Sequence, residues 1–295
     1  MKQQFVKDTA GAFQTYIYEN NRKVSPASAT FTVYKPGSSE KLIDGEAMLI
    51  GPDGLLSFNL TASDNAEADE NYKAVLEYVY GSKTYYLTLF YDVVRTKLSI
   101  VITDADLTAE LPQLKDSGWR VHGAAESGTT AAIVDSELKR YEDGCFTGGL
   151  AHSLDKDETR EITGFASSSG TVTTTAFSTA IGAGENYILT RPFSKEIQRA
   201  FEKLEEEINR SGKRAHLILD PYDLRETHIY RSVAEACKCL IKSKEDMWWM
   251  LWNEYEAKAE EAFKGIRLKY DASNDGYVSH SDESADFNRL KAVRG

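Results

Sequence analysis

The stretch Tyr72-Lys-Ala-Val-Leu-Glu-Tyr-Val-Tyr80-Gly81-Ser82-Lys83-Thr84-Tyr-Tyr-Leu-Thr-Leu-Phe-Tyr-Asp-Val-Val94 decides how the first hundred residues are read. Two runs rich in Tyr, Val, Leu and Thr meet at Gly81-Ser82. Residues of these types suit a pleated, half-buried surface, and the small pair between them predicts a β-hairpin. Upstream lie three shorter runs of the same character: Phe13-Gln-Thr-Tyr-Ile-Tyr18, Ala29-Thr-Phe-Thr-Val-Tyr34 and Leu55-Leu-Ser-Phe-Asn-Leu60. In the second of these, Ala29, Phe31 and Val33 share one face while Thr30, Thr32 and Tyr34 share the other, the period of a strand.

Turn signals separate the runs at Lys35-Pro-Gly-Ser-Ser, Gly51-Pro-Asp-Gly and Tyr80-Gly-Ser-Lys. Short strands at this spacing predict an antiparallel sandwich of immunoglobulin-like type over residues 1–98. It carries no disulfide, since the first cysteine is Cys145.

Residues 99–119 form a connecting segment. Thr103 or Asp104 suits the cap of a short helix containing Leu107 and Leu111, which Pro112 limits. Residues 120–191 return to strands around Ala131-Ala-Ile-Val-Asp135, Arg160-Glu-Ile-Thr-Gly-Phe165, a Thr/Val run after Gly170, and Tyr187-Ile-Leu189. They predict a second small β-domain, a barrel or sandwich. Residues 192–295 then turn helical. Ile197, Ala200, Phe201, Leu204 and Ile208 fall three and four apart, and Ser211-Gly212 ends that helix. Pro221 can open the next helix, which carries a stripe of Tyr230, Val233, Ala234, Cys237, Leu240 and Ile241. Ser243 and Asp246 read as a capping signal for a long helix from Lys244 to about Leu268. The chain is thus an α+β multidomain protein.

Three of the four tryptophans, Trp248, Trp249 and Trp252, lie within five residues of that last helix. Aromatic side chains bury large areas, so the cluster predicts a helical core or a contact between subunits rather than a cofactor pocket.

The chain has 295 residues, 35 Lys plus Arg, 46 Asp plus Glu and a net charge of −11. The excess sits in residues 101–192, with 7 basic and 14 acidic side chains. Nothing basic is clustered, so counterion release would gain this protein little, and nucleic-acid binding is not expected. No apolar run reaches the roughly 20 residues of a membrane span. Met1-Lys-Gln-Gln-Phe-Val-Lys lacks the apolar stretch of a secretion signal, so a soluble intracellular protein is expected. Cys145, Cys237 and Cys239 are too few and too oddly spaced for a disulfide framework and predict buried, reduced thiols.

Chemistry-bearing patterns are scarce. His122, His152, His216, His228 and His280 show no metal-ligand spacing, and no phosphate loop or nucleophile elbow is present. Gly148-Gly149 and Gly182-Ala-Gly184 read as turns. Glu142-Asp143 and Glu205-Glu-Glu207 read as solvated acidic faces. One stretch has the pattern of a calcium loop. Asp271, Ser273, Asp275 and Ser279 occupy positions 1, 3, 5 and 9, Gly276 position 6 and Val278 position 8. Asp282 stands where a bidentate Glu is usual, although Glu283 follows, and no strong second helix or partner loop follows. A surface turn after the last helix remains the plainer reading. No catalytic, cofactor-binding or metal residue is assigned, and the chain reads as a non-enzyme without cofactors.

Resemblance extends this further. Ile102-Thr-Asp-Ala-Asp-Leu107 with Leu111-Pro112-Gln-Leu resembles the opening of tailed-bacteriophage head-to-tail connector proteins, the adaptors of the neck. The middle block is similar to a β-module of phage structural proteins through Gly128-Thr-Thr, Val134-Asp-Ser-Glu-Leu138, Gly148-Gly149, Arg160-Glu-Ile-Thr163, Gly170-Thr-Val-Thr173 and Gly184-Glu-Asn-Tyr187. Tyr255-Glu256, Tyr270-Asp271 and Asp275-Gly276 resemble the helical part of such adaptors. These pieces cover roughly residues 100–285, and their order carries more than any one of them.

The resemblance implies a structural virion protein, an oligomeric ring of twelve copies docked beneath the portal protein. Such a ring would touch tail or other neck proteins, let genomic DNA pass and involve no membrane. It implies subunit contacts from helices 193–269 and a tail, 270–295, ordered by a partner. The immunoglobulin-like part is an addition to the minimal adaptor. The alternative is a tail-fibre or baseplate appendage binding a receptor or carbohydrate, with Tyr18, Tyr34, Tyr78, Tyr80, Tyr85 and Tyr86 as stacking faces.

Overall fold

The computed structural model describes residues 2–115 and 119–278. They form a mixed α+β structure in two compact units. One gathers residues 2–99, 206–221 and 268–278; the other gathers 100–115, 119–205 and 222–267. The division is not linear in sequence. Among the described residues no helix is long and apolar enough to cross a membrane.

In the first unit the strands are β1 (Gln3–Val6), β2 (Gly11–Thr15), β3 (Ile17–Glu19), β4 (Arg22–Val24), β5 (Ser28–Tyr34), β6 (Lys41–Ala47), β7 (Leu49–Ile50), β8 (Leu56–Leu60), β9 (Asp69–Tyr80) and β10 (Lys83–Val94). The hairpin read from the sequence is β9–β10, in register from Tyr80↔Lys83. Its turn needs positive φ at both central residues, met by Gly81 at 54° and Ser82 at 65°. A five-stranded sheet runs β1-β10-β9-β5-β6 and a three-stranded sheet β2-β8-β7, while β3 and β4 pair alone. Phe31 of β5 packs against Phe13 of β2 and Phe58 of β8 at 4.9 and 4.7 Å between ring centroids, so the two larger sheets share one core.

Two features depart from the sequence reading. The strand expected over 13–18 breaks at Tyr16, and β1, β4, β6 and β7 were not foreseen. In β6 only Ile43 is buried, because the strand lies at a sheet edge, so no alternation marks it. The sheet is also not wholly antiparallel, since β1 runs parallel to β10 from Gln3↔Tyr91 to Val6↔Val94.

The second unit holds β11 (Arg120–Ala124), β12 (Ser127–Thr129), β13 (Ala132–Val134), β14 (Leu150–Ser153), β15 (Glu158–Ala166), β16 (Thr171–Thr174) and β17 (Asn186–Thr190). They pair in the order β11-β17-β14-β15-β16-β13-β12. Among the described residues no ladder joins β11 to β12, so the module is an open sheet rather than a closed barrel. One core nevertheless takes Val121 from β11, Ile133 from β13 and Tyr187 from β17, so the sheet wraps around it. Gly149 shows how close the wrapping is: a Cβ there would lie 2.0 Å from the Thr190 carbonyl oxygen.

The helices are α1 (Asp104–Glu110), α2 (Ser194–Arg210), α3 (Arg225–Leu240) and α4 (Met247–Gly265). Thr103 is the N-cap of α1, and the Asp106 carboxylate accepts its backbone N–H at 2.8 Å. Gly212, at φ 84°, ends α2 as read. Pro221 opens a 3-10 turn, Pro221–Leu224, that leads into α3. The last helix starts at Met247 rather than Lys244. Asp246 is its cap and accepts from Trp248 N at 3.1 Å. Leu107, Leu111, Leu114, Trp119, Phe193, Val233, Cys237 and Tyr255 form the core among these helices.

Candidate functional site

Several buried titratable groups of the described residues are held in hydrogen bonds or ion pairs. His228 is buried, its Nε2 lies 3.0 Å from the Ile197 carbonyl, and burial pushes its pKa down, so it is a neutral donor. His216 is buried as well and lies 3.5 Å from Glu70, whose carboxylate is gripped through both oxygens by Arg214 Nε at 3.0 and 2.9 Å. A cleft of about 410 Å³ lies beside this group, lined by Glu70, Asn71, His216 and Asn274. His122 and His152 are far less buried, and His280 lies outside the described residues.

Of the acidic pairs, Asp143 accepts from Ser167 N at 2.9 Å, Glu142 faces Lys195 at 3.5 Å and Glu206 holds Arg210 at 2.6 Å. Among the described residues no three His, Cys, Asp or Glu side chains are grouped to hold a metal. In the loop with the calcium-like pattern, Asp271 turns its carboxylate onto Ser273 Oγ at 3.2 Å and the backbone N–H groups of Asp275 and Gly276 at 3.2 and 2.7 Å. Its Ser279 and Asp282 positions, and Lys291 and Arg294 of the tail, lie outside the described residues.

The cysteine expectation needs one correction. Cys145 and Cys237 are buried, and burial pushes the Cys237 thiol up to about 12, but Cys239 is exposed. Two residues along a helix rotate by about 200°, so only one of the pair faces the core.

The surfaces are more informative than the titratable groups. In α4, Tyr255, Ala259 and Phe263 are buried, and Trp248, Leu251 and Trp252 pack partly onto the helical core. The Tyr255 hydroxyl reaches Glu110 Oε1 at 3.2 Å and ties α4 to the end of α1. Away from the core, the first two turns leave apolar side chains open beside exposed Asn253 and Glu254. Met250 is 62% and Met247 46% exposed, and Trp249 is half-buried against Trp252, 4.9 Å between centroids. Methionine is flexible and polarizable, a residue suited to adaptable contact surfaces. The tryptophan cluster therefore divides: Trp248 and Trp252 serve the core, and Trp249 with the two methionines forms a surface.

A second apolar surface was not foreseen. Leu150 and His152 face outward on β14 at strand period, Leu154 opens the turn that follows, and the two leucines are 48% and 47% exposed. The signal was present as Leu-x-His-x-Leu, hidden by the polar turn after it. The six tyrosines offered as stacking faces do not gather. Tyr78 is buried against Tyr85 at 5.4 Å, while Tyr86 points to the other face of β10. No family model matches the chain, and no curated protein is similar enough to count as a match.

Proposed function

We propose that this chain is a structural virion protein of a tailed phage, forming the head-to-tail connector ring that joins the portal protein to the tail. The immunoglobulin-like assignment of the first β-sandwich and the adaptor type of the helical part belong to the same reading. The observation that carries it is the apolar Met247, Trp249 and Met250 surface of α4. Exposed apolar side chains grouped on one helix turn suit a protein–protein contact. The excess of acid in residues 101–192 suits a ring through which genomic DNA passes without adhering.

The test is gold-labelled antibody against this chain on purified tailed particles, viewed in negative stain. Gold at the head–tail junction is expected. Gold at the tail tip or fibres overturns the neck reading in favour of the appendage.

A further inference from the structure

The two apolar surfaces of the second unit differ in shape, and they also differ in charge. Lys238 on the last turn of α3 and Lys242 and Lys244 of the α3–α4 connection are all exposed; of the two acids of that connection, Glu245 is exposed beside them and Asp246 is committed to the cap of α4. Lys244 Nζ lies 6.0 Å from the Trp249 ring, so the cationic rim borders the apolar face directly.

At the turn joining β14 to β15 the balance reverses. Asp155 and Asp157 are exposed beside Leu154, and Glu161, also exposed, sits across the ladder from Leu150. The bases of this hairpin pair with acids, Lys156 with Glu185 and Arg160 with Glu158 at 2.6 Å, while Asp155 accepts from Asn186 N at 2.6 Å and Asp157 lies 3.8 Å from His152 Nε2, both acids staying exposed. The hairpin therefore offers leucine with an acidic border, and α4 offers methionine and tryptophan with a basic one. Complementary potentials at a contact select partners and fix orientation. A surface that matched itself would give a two-fold dimer, whereas two unlike surfaces on one chain give head-to-tail contact, closing to a ring or running on as a filament.

We infer that the occupant of the α4 surface is the β14–β15 hairpin of a second copy of this chain, with Leu150 and Leu154 against Met247, Trp249 and Met250 and with Asp155, Asp157 and Glu161 facing Lys238, Lys242 and Lys244. This deepens the ring reading proposed above and rests on it for its setting in the particle.

Sedimentation velocity on the full chain and on two variants tests the contact. Met250→Asp leaves the hairpin intact, and Leu154→Asp leaves α4 intact. Both sites are exposed, and far-ultraviolet dichroism checks that each variant folds. The wild type is expected to form head-to-tail oligomers, and each variant to self-associate about tenfold or more weakly. Mixing the variants is expected to give a one-to-one dimer that grows no further, because one good surface of each kind remains.

Lys242→Glu with Lys244→Glu is expected to lose assembly and to regain it when Asp157→Lys and Glu161→Lys are added. Variants that assemble like the wild type overturn the contact, and so does a wild type that stays monomeric at every soluble concentration. The two readings fail separately. Assembly that ignores the variants while gold still marks the neck removes this contact alone. A capped dimer from a chain whose gold marks another place removes the neck alone.

Discussion

The Tyr187 hydroxyl donates to the Asp135 carboxylate inside the wrapped sheet of the second unit. Tyr187 lies on β17, second from one end of the strand order, and Asp135 follows β13, second from the other end. The bond thus bridges a sheet that no ladder closes. Asp135 also accepts from Glu137 N at 2.9 Å, and its own N–H donates to the Gly170 carbonyl at 3.1 Å. Tyr187→Phe leaves a buried carboxylate one donor short and should cost about 1–3 kcal/mol, measured by urea unfolding.

Gly123 stands across the ladder from Tyr187. A Cβ at that position would sit 2.3 Å from the Tyr187 hydroxyl oxygen and 2.9 Å from Asp135 Oδ2. Neither group can retreat without breaking the bond between them. Gly123→Ala is expected to destabilise by about 1–3 kcal/mol through crowding, and to lose Tyr187–Asp135 coupling in a double-mutant cycle.

Glu196 is buried on α2, and among the described residues its Oε2 has no hydrogen-bond partner. Burial raises its pKa above the ordinary 4.5, partly offset by Arg191 and Arg199. A carboxyl whose pKa is higher in the folded state stabilises the fold below its unfolded value and loses that contribution as pH rises through the folded value. Glu196→Gln should therefore flatten the stability curve just above pH 4.5 and melt no lower than wild type at neutral pH, read by calorimetry across that range.

His228 gives a slope of the opposite sign. Burial lowers its pKa below the ordinary 6.5. Its neutral form is the stabilising one, so stability is full above 6.5 and falls as pH drops through the folded value. Melting temperatures between pH 7.5 and 5 should decline in the wild type and decline less in His228→Gln, which keeps a donor for Ile197.

Two substitutions on α4 separate packing from contact. Trp252→Ala removes a ring packed on the helical core and should cost about 2–4 kcal/mol. Met250→Ala changes an exposed side chain and should stay within about 0.5 kcal/mol of wild type. Chemical denaturation of both variants checks the difference.

The elements legible in the sequence were those whose periodicity reports burial. The β9–β10 hairpin and the buried stripe of α2 show their faces in residue type, and both formed where the pattern placed them. The polar edge strand β6 and the four-residue β1 bury too little to leave a pattern. Val134-Asp-Ser-Glu-Leu138, Gly170-Thr-Val-Thr173 and Gly184-Glu-Asn-Tyr187 stood out only as motifs. Their common purpose, Asp135 held by Tyr187 and Gly170, depends on a meeting of residues far apart in the chain. The tryptophan cluster was read as core or contact, and helical phase assigns some of it to each. The exposed Leu150 and Leu154 went unread because the polar turn around Leu154 hid them and period alone does not say which side of a strand is covered.

The parallel pairing of β1 with β10 has a mechanical consequence. The chain enters along one strand and leaves along its neighbour in the same direction, with Lys7 N donating to Val94 O at 2.8 Å just beyond the ladder. Tension applied between the start of β1 and the residues after Val94 pulls the two strands lengthwise past each other. All the rungs then bear the load together and must fail at once, whereas a hairpin pulled from its open end yields one rung at a time.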